Sequence, residues 1–316
     1  MIFKVTRKQR LKFPNCYNTP TFEVHFLKIC MLTDLKISRP GLWFPTIWIY
    51  LVPFSLTENF WESPLFWLGL IFVTFPLNYL VYGLNDYNDT AADAVNERKG
   101  NFLFGAKASK AQLRLVPKKI AIIIIPFIAY FTYAAGWKML LLLVFMIVIN
   151  VVYNFKPFRI KEKPPFEIFI QIGYVITAVF SVFLNDLTML PWQTFIYLAL
   201  FAFQAHIAGE IMDIEPDILA KKRTTATIIG RRNTKFLMLG LLLIEVYILT
   251  VWFQDYVLAG FLTIFSAWLI LDVFVLFKSK PYSVSQMKLF GLAMNISAFS
   301  SMLWVLYSKK LLLPIF

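Results

Sequence analysis

The stretch SPLFWLGLIFVTFPLNYLVYGLNDYNDTAAD, residues 63–93, joins a long apolar run to a cluster of acidic residues. A spanning helix needs about 20 mostly apolar residues, and residues 63–85 meet that requirement. The polar residues that follow are Asn85, Asp86, Asp89 and Asp93. Their spacings of three and four place the carboxylates on roughly one helical face. Charged groups are costly next to a membrane segment, so this placement indicates a functional site.

A second acidic cluster, DIEPD, covers residues 213–217 and also follows an apolar run. Asp213 and Asp217 lie one helical turn apart and therefore share a face. If the two faces meet, they form an acidic pocket suited to a hard divalent cation. Mg²⁺ prefers a few carboxylates together with phosphate oxygens and water. The two clusters therefore predict a site that binds and ionises a diphosphate.

The composition is that of a polytopic membrane protein. Hydrophobic residues make up 59% of the 316 residues and charged residues 16%, whereas a soluble domain is about one quarter charged. The net charge of +13 raises the question of nucleic acid, but the basic residues fall between apolar segments. That distribution suits a membrane surface, and no nucleic-acid partner is expected.

The sequence predicts an all-α, multi-pass fold with nine transmembrane helices. The predicted spans are residues 41–58, 63–85, 119–136, 138–154, 166–185, 191–210, 236–254, 256–277 and 287–307. Of the 31 Lys and Arg residues, only Lys138, Lys309 and Lys310 fall on the side opposite to the N-terminus. By the positive-inside rule, the N-terminus and both acidic clusters are cytoplasmic.

The chain divides into a basic N-terminal arm, residues 1–36, and a transmembrane domain, residues 37–316. The arm lacks the apolar core of a signal peptide. Either it is a cytoplasmic or interfacial arm, or Met31 is the natural start. Cys16 and Cys30 precede the first span and imply no disulfide framework.

Basic residues close to both clusters fit a diphosphate, because Arg offers a planar fork and Lys a point charge to phosphate oxygens. Arg98 and Lys99 follow the first cluster, and Lys222 and Arg223 follow the second. Ordinary positive-inside loop charges explain any one of them equally well. His206 precedes Asp213 in the sixth span; we expect a polar contact within the bundle there rather than a base.

Nine spans, NDxxDxxxD after the second and DxxxD after the sixth resemble the UbiA superfamily of intramembrane prenyltransferases. The resemblance covers residues 36–307. Four stretches are similar to its lycopene elongase branch, whose members add C5 units to lycopene: SRPGLWF (residues 38–44), YGLNDYNDTAADAVNERKG (82–100), YNFKPFRIKEKPP (153–165) and DIEPDILAKKRTTATIIG (213–230).

The resemblance implies an EC 2.5.1-type prenyltransferase in the cell membrane of a bacterium or archaeon. It implies these catalytic residues: Asp86, Asp89, Asp213, Asp217 and Tyr153. It implies these Mg²⁺ ligands: Asn85, Asp86, Asp89, Asp93, Asp213 and Asp217. Members with aromatic acceptors often carry Tyr-x-x-x-Lys after the fourth span, but Pro157 stands four places after Tyr153. The diphosphate-binding role is therefore spread over Lys156, Arg159 and Lys161, beside Asn85, Arg98, Lys99, Lys222 and Arg223.

The expected donor is dimethylallyl diphosphate or a longer isoprenoid diphosphate, and the expected acceptor is a lipophilic molecule such as lycopene, reached through membrane lipid. An aromatic, quinone or chlorin acceptor and a terpene cyclase of the same superfamily stay open as alternatives. A cation-coupled transporter is a further alternative, although its acids would be expected near the bilayer midplane.

Overall fold

The computed structural model of the chain describes residues 31–315, and within that range it is helical and contains no strand. The helices are α1 (Phe44–Leu56), α2 (Pro64–Asn88), α3 (Thr90–Val95), α4 (Lys110–Ala135), α5 (Trp137–Asn154), α6 (Phe166–Asn185), α7 (Trp192–Leu219), α8 (Thr225–Val251), α9 (Tyr256–Leu276) and α10 (Val284–Ser308). The prediction of an all-α membrane protein is confirmed. The predictions about residues 1–30, including Cys16 and Cys30, lie outside the described residues.

Eight of the described helices are long and apolar enough to cross a membrane. They correspond to eight of the nine predicted spans. The remaining predicted span, residues 41–58, is the shorter apolar helix α1, which falls below the roughly 20 residues of a full span. The chain is thus an integral, multi-pass membrane protein.

Three helices extend further on the side of the acidic clusters than hydropathy predicts. Helix α4 begins at Lys110, α7 runs on to Leu219, and α8 begins at Thr225. The added turns are polar, so an apolar window does not detect them. The second acidic cluster therefore lies on α7 and not in a loop.

Local sequence explains where these helices begin. Ser109 and Gln112 form a capping box at the start of α4, in which each side chain bonds the other residue's backbone N–H. Thr224 and Thr227 do the same for α8. Gly230 interrupts α8 with φ 77°, a backbone conformation that glycine adopts at no steric cost.

The apolar core has two main parts. One is built mainly from α2, α4, α5 and α6, and Phe72, Phe131 and Phe180 pack together at its centre. The other is built mainly from α1, α7, α8 and α9, with Leu198 and Leu249 fully buried. Helix α7 packs beside α6 and α8 and also contacts α3, the short helix that follows α2. Its polar end therefore lies near the end of α2.

The loop between α3 and α4 is held close to the bundle by Leu103. A Cβ atom added to Gly41 would lie 2.7 Å from Leu103 Cδ1, and one added to Gly291 would lie 2.6 Å from Leu103 Cδ2. Leu103 therefore fits between two positions that have no side chain. This close approach fixes the segment that carries Arg98 and Lys99.

Candidate active site

A cavity of about 300 Å³ lies among α1, α2, α5, α6 and α7, where the two acidic clusters meet. The predicted site residues that line it are Asn85, Asp89, Tyr153, Lys161, Asp213, Asp217 and Lys222. Apolar side chains line its deeper part, among them Leu77, Val81, Met146, Ile149 and Phe201. A polar end and an apolar chamber thus share one cavity.

Asp86 occupies a buried position at the end of α2 and is 1% exposed. Its Oδ1 accepts hydrogen bonds from Arg39 at 2.8 Å and from Lys99 Nζ at 2.6 Å. Lys99 Nζ also donates to Asp93 Oδ2 at 2.8 Å. Burial raises the pKa of Asp93 to about 6, and the nearby ammonium of Lys99 opposes that rise. Lys99 therefore joins two carboxylates of the first cluster.

Asp89 accepts two short hydrogen bonds from lysines that come from different parts of the chain. Lys161 Nζ lies 2.6 Å from Asp89 Oδ1, and Lys222 Nζ lies 2.6 Å from Oδ2. Burial by itself raises the pKa of Asp89, but the two ammonium groups outweigh it and hold this pKa below its usual value. Lys161 also donates to Asn85 Oδ1 at 3.2 Å and to Asn154 Oδ1 at 3.1 Å.

Asp213 ties the second cluster to the loop that follows the first cluster. Its Oδ1 accepts from the guanidinium of Arg98 and, at 3.0 Å, from Asn96 Nδ2. Asp217 Oδ1 lies 3.3 Å from Lys222 Nζ, so Lys222 bridges Asp217 and the first cluster. The loop after α3 is thereby fastened to the polar end of α7.

The carboxylates predicted to bind Mg²⁺ form ion pairs with Lys and Arg in this structure. Among residues 31–315, no group of three or more acidic, histidine or cysteine side chains is close enough to hold a metal ion. The reason is that the carboxylates predicted as ligands contact Lys or Arg instead. Their chemistry nevertheless fits Mg²⁺, because carboxylate and amide oxygens are hard donors.

Three buried guanidinium nitrogens without acceptors indicate that the site can take an anion. The Nε atoms of Arg39, Arg98 and Arg159 are buried without an acceptor. A buried donor without a partner costs free energy, and an anion at this site would satisfy it. The cations and carboxylates together thus suit an anion that arrives with a metal ion.

Five predicted diphosphate ligands do not line the cavity: Arg98, Lys99, Lys156, Arg159 and Arg223. Arg98 and Lys99 adjoin it through the acidic residues that they contact. Lys222 lines the cavity, whereas the next residue, Arg223, is exposed. Lys156 lies just beyond the end of α5 and is exposed as well. Arg159 is closer, with its guanidinium 3.8 Å from Asp89 Oδ1 and 2.8 Å from Glu162.

Sequence reasoning did not single out Arg39, Asn96 and Asn154 as site residues. The signal for Arg39 is its place in SRPGLWF, the stretch that ends at Phe44, the first residue of α1. Asn96 and Asn154 also lie inside the quoted stretches. Arg39 contacts Asp86, Asn96 contacts Asp213, and Asn154 contacts Lys161. Hydropathy and acid spacing do not identify such contacts.

Glu167 and Glu210 hold the start of α8 against the cavity wall. Glu167 Oε1 accepts from the backbone N–H of Thr225 at 2.6 Å and from its hydroxyl at 2.5 Å. Glu210 Oε2 accepts from the backbone N–H of Ala226 at 3.0 Å. Both acids therefore bind backbone donors that a helix start leaves unpaired.

Tyr153 lies in the cavity wall, and its ring meets that of His206 edge-on with 6.4 Å between the ring centres. His206 Nε2 lies 3.1 Å from Glu210 Oε1. The expected polar contact of His206 within the bundle is therefore present, and the imidazole also lines the cavity.

Curated relatives of the chain include carotenoid enzymes. It is 28% identical to a lycopene elongase/hydratase of Corynebacterium glutamicum over 227 residues, which cover 68% of this chain and 76% of that protein. It is 26% identical to a lycopene elongase/hydratase of Haloarcula japonica over 208 residues, which cover 64% of this chain and 68% of that protein.

Solved structures share the fold. A UbiA homolog from Archaeoglobus fulgidus bound to DMAPP and Mg²⁺ superimposes with a TM-score of 0.62 at 17% identity, covering 85% of this chain and 99% of that one. A digeranylgeranylglyceryl phosphate synthase superimposes with a TM-score of 0.54 at 18% identity, covering 88% and 99%. Residues 42–306 match the UbiA prenyltransferase family, and the chain therefore belongs to that family.

Proposed function

We propose that this prenyltransferase moves a dimethylallyl-sized group from its diphosphate to the end of a polyene such as lycopene, with Mg²⁺ as cofactor. The observation that carries the proposal is one cavity whose polar end holds paired carboxylates and cations and whose deeper part is apolar. The similarity to proteins named lycopene elongase/hydratase supports the choice of acceptor.

The basic residues of the site bind the diphosphate. Lys161, Lys222 and Lys99 supply ammonium groups that are already held at the polar end by carboxylates. Arg39, Arg98 and Arg159 add guanidinium groups whose Nε atoms lack acceptors. These groups turn from the carboxylates to phosphate oxygens when the donor enters.

The residues that would hold Mg²⁺ are Asn85, Asp86, Asp89, Asp93, Asp213 and Asp217. The ion supplies charge neutralisation at the leaving diphosphate when it is bound. The pairing of acids with bases keeps the donor-free site close to neutral, which lowers the cost of burying so many charged groups.

The apolar chamber protects the reactive half of the donor. When the allylic carbon–oxygen bond breaks, the diphosphate keeps the bonding electrons and an allylic cation is left. Tyr82, Tyr153 and Tyr174 line the chamber, and aromatic faces stabilise cations. The terminal double bond of the acceptor then attacks the cation and forms the new carbon–carbon bond.

The size of the cavity favours a short donor. A volume of about 300 Å³ lies at the lower end of the range for ligand sites. It suits a C5 donor and the end of an acceptor chain, while the rest of a long polyene lies among the membrane lipids. The lipid solubility of the acceptor gives the reason for a site between membrane helices.

The site opens to the cytoplasmic side in this proposal, because most of the Lys and Arg residues lie at the same end of the bundle as the acidic clusters. An isoprenoid diphosphate made in the cytosol reaches it there without crossing the membrane.

The test is an assay of the purified protein in lipid with Mg²⁺, dimethylallyl diphosphate and lycopene, followed by mass spectrometry. We expect products heavier by one or two C5H8 units, with or without added water. The variant Asp213→Asn should lose this activity, whereas Arg223→Ala, whose side chain is exposed outside the cavity, should keep it.

The other outcomes each identify a different function. Diphosphate release without a heavier carotenoid would refute the acceptor and indicate an aromatic acceptor or a cyclase. If no dimethylallyl, geranyl, farnesyl or geranylgeranyl diphosphate is consumed with Mg²⁺, the donor chemistry is wrong and a cation-coupled transporter becomes the hypothesis to test.

A further inference from the structure

We infer that His206, oriented by Glu210, is the base that ends the reaction by taking a proton after the new carbon–carbon bond has formed. The inference rests on the proposed function, because an alkene acceptor leaves a second cation that has to be quenched.

His206 lies deeper in the cavity than the acidic residues at the diphosphate end. It lies on α7 seven residues before Asp213 and eleven before Asp217, and all three line the cavity. At 1.5 Å per residue, His206 lies about 10 Å further along the helix than Asp213. That distance places the imidazole beside the apolar chamber, where the acceptor and the prenyl group meet, and not beside the phosphates.

Glu210 sets the orientation of the imidazole. Its Oε2 is held by the backbone N–H of Ala226 at 3.0 Å, and its Oε1 lies 3.1 Å from His206 Nε2. A carboxylate in this position accepts a hydrogen bond from Nε2–H, so the neutral ring carries its lone pair on Nδ1. A carboxylate that fixes the tautomer and supports the imidazolium is a recurring arrangement around a catalytic histidine.

The second nitrogen is left for the cavity. Within residues 31–315, Glu210 is the one hydrogen-bond partner recorded for the imidazole, and the ring forms part of the cavity wall. Phe201, Ala202 and Ala205 precede His206 on α7 and line the same cavity, so the imidazole is a basic group beside an apolar part of the wall.

The π electrons of the acceptor's terminal double bond form the carbon–carbon bond to the prenyl cation, and the other alkene carbon becomes a tertiary cation. Nδ1 takes a proton either from a carbon next to that cation, which restores a double bond, or from a water molecule that adds to it, which gives an alcohol. The imidazolium releases this proton to water when the products leave the cavity, and the neutral imidazole is restored.

The test compares His206→Gln with His206→Ala in the full-length protein. Gln retains an amide donor for Glu210 but has no basic nitrogen, so it separates a base from a packing contact. We expect His206→Gln to form elongated carotenoid about 100-fold more slowly than the wild type or slower still, the range for removal of a general base. Donor consumption should fall much less, so the ratio of free prenyl alcohol to elongated carotenoid should rise.

Imidazole added to His206→Ala supplies the decisive readout. It should restore formation of elongated carotenoid in that variant and leave the wild type unchanged. His206→Gln with the wild-type rate and product ratio would overturn the inference while the proposed function stands, as would a folded His206→Ala that imidazole does not restore. A wild-type protein that makes no elongated carotenoid would overturn both.

Discussion

Neutralising the carboxylate of Asp89 should weaken this fold. It is 5% exposed and accepts from Lys161 and Lys222, both at 2.6 Å. The variant Asp89→Asn keeps the size of the side chain and removes its charge. Two buried ammonium groups then lose their common counter-ion.

The loss of stability in Asp89→Asn depends on which hydrogen-bond partners Lys161 and Lys222 keep. Removing one partner of a buried ion pair costs about 3–5 kcal/mol of stability. Lys222 keeps Asp217, whose Oδ1 lies 3.3 Å away. Lys161 keeps two amide oxygens, from Asn85 and Asn154. One ammonium is therefore left without a carboxylate, so we expect the lower end of that range, about 3 kcal/mol.

The assay is equilibrium unfolding of the purified protein in mild detergent without donor or metal. Adding Lys161→Met to Asp89→Asn removes the stranded charge and should recover most of the loss, while prenyl transfer stays absent. The control is Glu215→Gln, because Glu215 is paired with Arg231 at 2.6 Å but its side chain is 45% exposed; it should cost about 1 kcal/mol or less. Wild-type stability of Asp89→Asn, or no recovery in the double variant, would refute the reasoning.

Three further predictions concern the same site. Because burial raises the pKa of Asp93 to about 6 and only its ionised form binds a cation, kcat/KM for the donor should fall as the pH drops through about 6; a flat profile on both sides of that value would contradict this. Gly291→Ala places a Cβ 2.6 Å from Leu103 and should displace the loop that carries Arg98, which lowers the rate of prenyl transfer by up to about 100-fold. Adding Leu103→Ala should relieve the effect, and prenyl-transfer assays on the single and double variants test both statements. Arg223→Glu should leave the KM for the donor within about twofold of wild type, because the side chain is exposed away from the cavity and surface charges are screened by salt; a large increase would place Arg223 in the site.

The amino-acid sequence determined the membrane class, most of the helices and the chemistry of the site. Apolar length is a local property, and it located eight helices long enough to cross a membrane. The acid spacing in residues 85–93 and 213–217 is local too, and it identified carboxylates that line or adjoin one cavity. The polar extensions of α7 and α8 were missed because hydropathy does not register a helix end that lies outside the apolar layer.

Only the tertiary structure decided which acidic side chain pairs with which basic side chain. Asp89 is paired with lysines 72 and 133 residues away, and Asp213 with Arg98, 115 residues away. Such pairs depend on how α2 and α7 pack and on how Leu103 anchors a loop between two glycines. No local pattern separates Lys222, which faces the site, from its neighbour Arg223, which does not. The physical reason is that apolar burial depends on each segment's own composition, whereas a buried charge is stable only beside a specific partner that long-range packing brings within hydrogen-bond distance.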